Sequence, residues 1–320
     1  MSDLIAAVTK RHGADSLFKL GDASVQKIDV VPTGSIALNR ALGVGGYPRG
    51  RIVEIAGGPG SGKTTLALHA IAEAQKLGLG TLYVDAEHAL DPQYAAAIGV
   101  DTDEMFVSQP DYGEQGLDIV EIAVTTNAVG IVVVDSVAAL VPKVELDGEA
   151  GDQFVGLQAR MMSQAMRRLS GAIKRSGVLV IFINQYRDKI QTFGFGGNKT
   201  TPGGWALRYA ASVRMDVVRT KNIKNGDVPF AQHTKVTISK NKVAPPYRTA
   251  EFDIEFGVGI SQSLELIDLG VEHKVIKRRG AWFEIPDLDI KVQGRQRLKE
   301  EIENNPQLME VLRERIEKSD

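Results

Sequence analysis

The chain has 320 residues, a net charge of −2, 43% hydrophobic and 24% charged residues; this is globular composition with room for one large domain and a smaller one, and any nucleic-acid site must be a local patch. It has no cysteine, which excludes disulfides, thiolate catalysis and cysteine-based zinc sites and fits a reducing cytoplasm. The charged, amphipathic N-terminus is no signal peptide, and the longest apolar runs, 131–134 and 178–183, are strand-length and too short to span a bilayer.

Residues 2–12 read as a short helix capped by Ser2, with Leu4, Ile5 and Val8 as its apolar stripe and Gly13 as its stop. So short a helix is marginal alone and needs a surface, either its own core or a neighbouring subunit. Residues 26–31 read as a strand and 33–42 as a capped helix ending at Gly43. A turn-rich GVGGYPRG segment leads to an apolar strand from Arg51 to Ala56.

After that strand come Gly57, Gly58, Pro59, Gly60, Ser61, Gly62, Lys63, Thr64 and Thr65, then apolar residues at helical spacing from Leu66 to Ile71. Strand, glycine-rich loop and helix carry the G-x-x-x-x-G-K-[ST] pattern of a phosphate loop. Glycines let backbone N–H groups wrap an anion, and the helix beginning near Gly62 points its positive end at it. Lys63 supplies a charge for the β- and γ-phosphates, and Thr64 a hydroxyl ligand for Mg²⁺.

Strands and helices then alternate. Residues 81–85, 105–107, 130–135 and 178–184 read as strands; 91–98, 116–126 and 157–175 read as helices. Residues 148–155 are turn-rich, and 186–204 are glycine-rich without a period, the mark of a functional loop. Residues 213–218, 234–239 and 249–255 alternate as later strands. The pattern predicts an α/β fold, a largely parallel sheet flanked by helices with an antiparallel extension. A boundary near 257–260 precedes a small α+β unit, with a hairpin around Gly280 and a final helix that Asn305 and Pro306 begin. This divides the chain into 1–33, 34–260 and 261–320.

Asp135 ends an apolar strand, where an acid in such proteins holds Mg²⁺, often through water. Glu87 follows another strand and can activate a water; Asp85, two residues earlier, competes, and period two puts both on one face. Gln185 lies between a buried strand and the 186–204 segment, where an amide can bond a γ-phosphate and lose that bond on hydrolysis. In helix 157–175, Arg160, Arg167 and Lys174 recur at seven-residue spacing, with Arg168 and Arg175 beside that face. No acid lies between Asp152 and Asp188, so the face has no partner within the helix. It is either solvated or a groove for a phosphate backbone, to which Arg187 and Lys189 would add. Lys240 and Lys242 either face solvent or reach a phosphate across a subunit boundary.

Over nearly its full length the chain resembles the bacterial RecA family of homologous-recombination strand-exchange proteins. The stretches that carry the resemblance are TGSIAL (33–38), GRIVEIAG (50–57), DAEHALDPQYA (85–95), SQPDYGEQ (108–115), VVVDSVAALVPK (132–143), GLQARMMSQAMRRL (156–169), IFINQ (181–185), TTPGGWAL (200–207), ASVRMDV (211–217), KNKVAPP (240–246) and GAWFE (280–284). The resemblance implies a RecA-type P-loop ATPase core that uses ATP and Mg²⁺. It implies Glu87 as the catalytic carboxylate, Tyr94 as the adenine-stacking residue with Asp91 beside it at the nucleotide, and Gln185 as the γ-phosphate sensor. It implies a single-stranded DNA site from the two loops with Arg160, Arg167, Arg187, Lys189, Gly203 and Gly204. It further implies that Lys240 and Lys242 contact ATP on the adjacent protomer and that the N-terminal helix docks on a neighbour in a helical filament. The function it implies is ATP-dependent pairing and exchange with homologous double-stranded DNA, in recombination, repair of DNA damage and the SOS response, in the cytoplasm.

Four departures stand out. Gly58-Pro59-Gly60 replaces the family's usual Pro-Glu-Ser. The second loop differs in sequence and is one residue longer. Val218 takes the first position of a usual basic pair, leaving Arg219. The chain ends at Asp320 without the acidic tail of many relatives, which implies less restrained access to DNA. Rival readings are a translocating motor of the same fold and a DNA-coating protein that uses ATP only as an assembly ligand. A small-molecule kinase leaves the basic helix unexplained. A GTPase is disfavoured because no [NT]-K-x-D motif follows.

Overall fold

A computed structural model describes residues 2–13, 16–17, 28–149, 154, 156–188 and 199–319. Helix α1 (Ser2–His12) has the expected bounds. None of its described side chains is buried: Leu4 is half exposed, and Ile5 and Val8 are only partly covered by the described residues. Of the expected strand 26–31, residues 26–27 lie outside the described ones and only β1 (Val30–Val31) is strand. It pairs with β2 (Tyr47–Pro48), so the segment expected as turn carries a bridge. Helix α2 (Ile36–Leu42) starts later than expected because Ser35 is its N-cap, with Oγ accepting from Leu38 N at 3.0 Å.

The alternating core follows: β3 (Ile52–Gly57), α3 (Lys63–Lys76), β4 (Thr81–Asp85), α4 (Pro92–Ile98), β5 (Met105–Ser108), α5 (Gly113–Thr126) and β6 (Ile131–Asp135). A single unforeseen turn, α6 (Lys143–Leu146), precedes α7 (Leu157–Ser176), β7 (Leu179–Gln185), β8 (Arg187–Asp188), β9 (Lys199–Thr200) and α8 (Gly204–Ala210). The stretch expected to be structureless therefore has a two-stranded stem, with Arg187 opposite Thr200. Residues 150–153 and 155 of the turn-rich stretch and 189–198 of the second loop lie outside the described residues.

Strands β10 (Val213–Asn225) and β11 (Val228–Asn241) run well past their expected bounds as one long hairpin turning at Gly226. Its outer half is polar and exposed, so backbone pairing extends it without an apolar alternation to announce it. Then come β12 (Thr249–Glu255), β13 (Gly259–Ile260), α9 (Gln262–Glu272), β14 (Lys277–Arg279), β15 (Trp282–Ile285), β16 (Ile290–Gln293), α10 (Arg295–Glu303) and α11 (Pro306–Lys318).

The main sheet has nine strands in the order β13-β12-β11-β10-β3-β7-β6-β4-β5. From β10 to β5 every pairing is parallel; β11, β12 and β13 add on antiparallel. This is the expected fold class. Period two sends Ile131, Val133, Ile181 and Ile183 to one face with α2 and α3, and Val132, Val134, Val180 and Phe182 to the other with α5, α7 and α8. Both faces are covered, so the strands read as unbroken apolar runs.

A third cluster joins α9, β15, α10 and α11 around Leu266, Phe283, Leu298 and Leu312. It is tied to the core by the buried carboxylate of Glu265, which accepts from the backbone N–H of Ile36 at 3.0 Å and of Ala37 at 2.9 Å, and from Ser35 Oγ at 2.5 Å. The acid meets the positive end of α2. Burial raises its pKa, and those three bonds oppose the shift.

Candidate nucleotide and DNA sites

The phosphate loop leaves β3 at Gly57 and enters α3 at Lys63. Gly62 has φ 100°, and a Cβ there would sit 2.5 Å from Ile254 Cδ1, so glycine is required on both counts. No side chain caps α3, which leaves its first N–H groups to an anion. Ser61 Oγ is buried with no hydrogen-bond partner, an orphaned donor where a phosphate oxygen would sit. Pro59 and Gly60 are exposed at the tip. Lys63 Nζ donates to Gly58 O at 2.7 Å. Burial lowers its pKa, against the pull of Asp135 and Glu87. Loop, helix end and lysine fit a nucleoside triphosphate.

Asp135 ends β6, one strand beyond β7, and Thr64 reaches it from α3. Thr64 Oγ1 donates to Asp135 Oδ2 at 2.8 Å, and Tyr83 OH to the same oxygen at 2.7 Å. Burial raises the Asp135 pKa, and these two bonds oppose it. Among the described residues, no group of three or more His, Cys, Asp or Glu could hold a metal. A cation here would take phosphate and water oxygens beside Thr64 and Asp135, as Mg²⁺ does.

The two carboxylates of the β4 end separate by role. β4 stops at Asp85, and Glu87 lies in the turn beyond it, so period two does not place them on one face. Asp85 is buried and accepts from the N–H groups of Ala89 and Leu90, both at 3.2 Å, and from Gln109 Nε2 at 3.0 Å. Its bonds hold the loop to α4. Glu87 is exposed and turned to the loop's side: Oε1 accepts from Gln185 Nε2 at 2.7 Å and from Ser136 Oγ. Tyr94 OH shares a hydrogen bond with Thr65 Oγ1 at 2.7 Å, which fixes the ring beside the start of α3. Asp91 caps α4, accepting from Gln93 N and Tyr94 N.

On α7 the exposed face carries Arg160, Arg167 and Lys174. Among the described residues none of the three has an ion-pair partner. Arg168 does: Glu121 of α5 lies 2.7 Å away, so an absence of acids within α7 did not leave that arginine free. Arg187 is exposed on the β8 stem, and Lys189 lies outside the described residues. Gly203 and Gly204 have close packing to satisfy: a Cβ would lie 2.9 Å from Val137 Cγ1 and from Ala159 Cβ, respectively. Lys240 Nζ donates to Arg208 O at 2.6 Å and Tyr209 O at 3.1 Å, and Lys242 Nζ to Tyr209 O at 3.3 Å. The two lysines therefore cap the C-terminus of α8 rather than face only solvent.

Sequence reasoning missed Tyr83, Ser136, Asn184 and Glu54. Glu54 carried a usable signal: it is the lone acid in the apolar run IVEIAG. The exposed, stacked pair Trp205 and Tyr209, ring centroids 6.0 Å apart, was also missed.

A phosphate loop at the carboxyl end of a central parallel strand, faced by acids from two neighbouring strand ends, defines a P-loop nucleoside triphosphatase. The RecA N-terminal domain family matches residues 1–261 and the RecA C-terminal domain family matches residues 264–319. The chain is 52% identical over 312 residues to Protein RecA of Acidothermus cellulolyticus, spanning 98% of this chain and 90% of that one. It is 54% identical over 305 residues to Protein RecA of Bacteroides thetaiotaomicron, spanning 95% and 92%. To Protein RecA of Staphylococcus aureus strain Newman it is 51% identical over 324 residues, spanning 100% and 93%. The crystal structure of the RadB recombinase matches with a TM-score of 0.53 at 22% identity, covering 72% of this chain and 98% of that one, a likeness of fold. This chain belongs to the RecA family. It is a recombinase that hydrolyses ATP.

Proposed function

We propose that this chain assembles on single-stranded DNA as a helical filament and exchanges strands with a homologous duplex, with ATP at the protomer interface. Lys63, Thr64 and the Gly57–Thr65 loop hold the triphosphate. Thr64 and Asp135 hold Mg²⁺, which supplies charge neutralisation at the β- and γ-phosphates. Tyr94 stacks on the base, with Asp91 setting the start of its helix. Glu87 orients and deprotonates the attacking water. Lys240 and Lys242 of a neighbouring protomer stabilise phosphate charge in trans.

Arg160, Arg167, Arg187, Lys189, Gly203 and Gly204 make the DNA path. Phosphate contacts position the strand without reading it, so base pairing supplies the specificity. The incompletely buried stripe of α1 supports docking of residues 1–33 on a neighbour. Residues 34–260 form the ATPase core, and 261–320 a separate small domain. No helix among the described residues is long and apolar enough to cross a membrane, in keeping with a cytoplasmic place of action.

The observation that carries this reading is the bond from Gln185 Nε2 to Glu87 Oε1. It joins the carboxylate beside the phosphate loop to the residue from which the second DNA segment departs. A strand-exchange assay with a circular single strand and a homologous linear duplex tests it. Joint molecules with ATP and none without are expected; exchange independent of nucleotide, or none at all, would overturn it.

A further inference from the structure

We propose that Glu54, with Asn184 and Arg214, is a positioning network that carries the state of Gln185 to the far end of the 186–204 segment and to Lys240. It rests on the reading of Gln185 as phosphate sensor and of that segment as a DNA contact.

Glu54 and Asn184 are fully buried, in β3 and β7 at the centre of the sheet. Their strand neighbours facing either core are aliphatic or aromatic. A buried carboxylate is costly unless paired and fully bonded, and a well-packed apolar side chain stabilises a core at least as well. Packing alone therefore does not explain an acid and an amide at these positions.

Their bonds make a junction. Glu54 Oε1 accepts from Asn184 Nδ2 at 3.0 Å, and Oε2 accepts from Arg214 Nε at 2.5 Å. Asn184 Nδ2 also donates to Pro202 O at 3.2 Å, and Asn184 Oδ1 accepts from the backbone N–H of Gln185 at 3.0 Å. Both amide hydrogens of Asn184 and its carbonyl are thus committed. Arg214 is the register partner of Lys240 across the β10–β11 pair. Lys240 in turn caps α8.

The route therefore touches both ends of α8. Pro202 precedes its N-cap, Gly203, and Lys240 holds its last carbonyls. When Gln185 exchanges the Glu87 carboxylate for a phosphate oxygen, its backbone N–H shifts against Asn184. With no spare donor, Asn184 either moves Pro202 with it or leaves a buried group unpaired, the costly alternative. Glu54 and Arg214 fix which way the junction can pivot.

The readout is the ratio of oligo-dT dissociation constants measured with ADP and with a non-hydrolysable ATP analogue. A loss of fold weakens both affinities, whereas a loss of coupling changes their ratio. Glu54→Gln keeps the acceptor for Asn184 and removes the charge facing Arg214; Asn184→Ala removes the junction and leaves the ion pair. In both variants we expect the ratio to fall by about tenfold, within the usual range of allosteric coupling, while nucleotide affinity stays near that of the unaltered chain and the thermal midpoint falls, since each variant leaves a buried group unpaired. Gln185→Ala is the control. If it collapses the ratio and the two variants do not, the network is structural and the proposal falls alone. If Gln185→Ala also leaves the ratio unchanged, the sensor reading falls and takes the proposal with it. Failure of both variants to fold assigns the network to stability and equally overturns the proposal.

Discussion

Gln185 Nε2 donates to Glu87 Oε1 at 2.7 Å, across 98 positions of sequence. Both residues sit just past or at the carboxyl end of a parallel strand, where such sheets gather their ligand-binding groups. The bond leaves Glu87 oriented, and Ser136 Oγ donates to the same oxygen. On the proposed function, a carboxylate held this way would accept a proton from water once the amide turned to a phosphate.

Glu87→Gln keeps the side chain's size and the acceptor for Gln185 while removing the base. ATP binding is expected to persist and hydrolysis to fall by about 10²–10⁴-fold, the range of a lost general base. Steady-state turnover with saturating single-stranded DNA checks it. Turnover that does not change would transfer the role away from Glu87, with Asp85 excluded because its oxygens already hold residues 89, 90 and 109.

How much of this was legible in the sequence depends on range. Ile131–Asp135 and Leu179–Gln185 were readable because burial on both faces leaves continuous apolar runs. The phosphate loop was readable because its chemistry needs contiguous residues. The long β10–β11 hairpin was not, since its outer half is held by backbone pairing under exposed polar side chains. Nor was the Glu54–Asn184 bond, whose partners are 130 positions apart. Arg168 shows the same limit: its acid lies on another helix, beyond the reach of spacing within α7.

Arg167 is exposed on α7 without an acid partner among the described residues. Arg167→Ala should weaken oligo-dT and mixed-sequence single strands alike. It should also reduce the slope of log affinity against log salt by about one phosphate contact. Fluorescence anisotropy from 50 to 200 mM salt, about the range over which such contacts are read, measures both. An unaltered slope would return this face of α7 to ordinary solvation.

Lys240 and Lys242 rest on the carbonyls of residues 208 and 209, yet an ammonium has three donors and can hold a phosphate oxygen as well. Burial and the neighbouring Lys242 lower the pKa of Lys240, and an anion beside it would offset that shift and hold it charged. If the lysines act in trans, a Lys240→Ala/Lys242→Ala chain still offers a complete phosphate loop and Glu87 to a neighbour. Mixed with a Glu87→Gln chain, it should restore hydrolysis at interfaces where intact lysines face an intact Glu87. ATPase activity of the mixture above the sum of the two parents is the expected outcome; activity no greater than that sum would place the lysines' role within their own subunit.

His69 stabilises the fold in a pH-dependent way. It is buried on α3, and its Nε2 accepts from the backbone N–H of Ile260 at 2.9 Å, joining the phosphate-loop helix to β13. Burial pushes its pKa down to about 4, with Lys76 adding to the shift. The unfolded chain has the ordinary value of about 6.5. Between these values the unfolded state binds more protons than the folded one, so stability is fully present above about pH 6.5 and is lost as pH falls toward 4. The loss attributable to this one ring reaches roughly 2 kcal/mol at pH 5. His69→Gln provides an amide oxygen for Ile260 N–H and removes the titration. Urea unfolding at pH 7.5 and pH 5 should therefore show a smaller drop for the variant than for the unaltered chain, whatever its absolute stability. Equal drops would mean that the acid sensitivity of the fold resides in its carboxylates and not in this histidine.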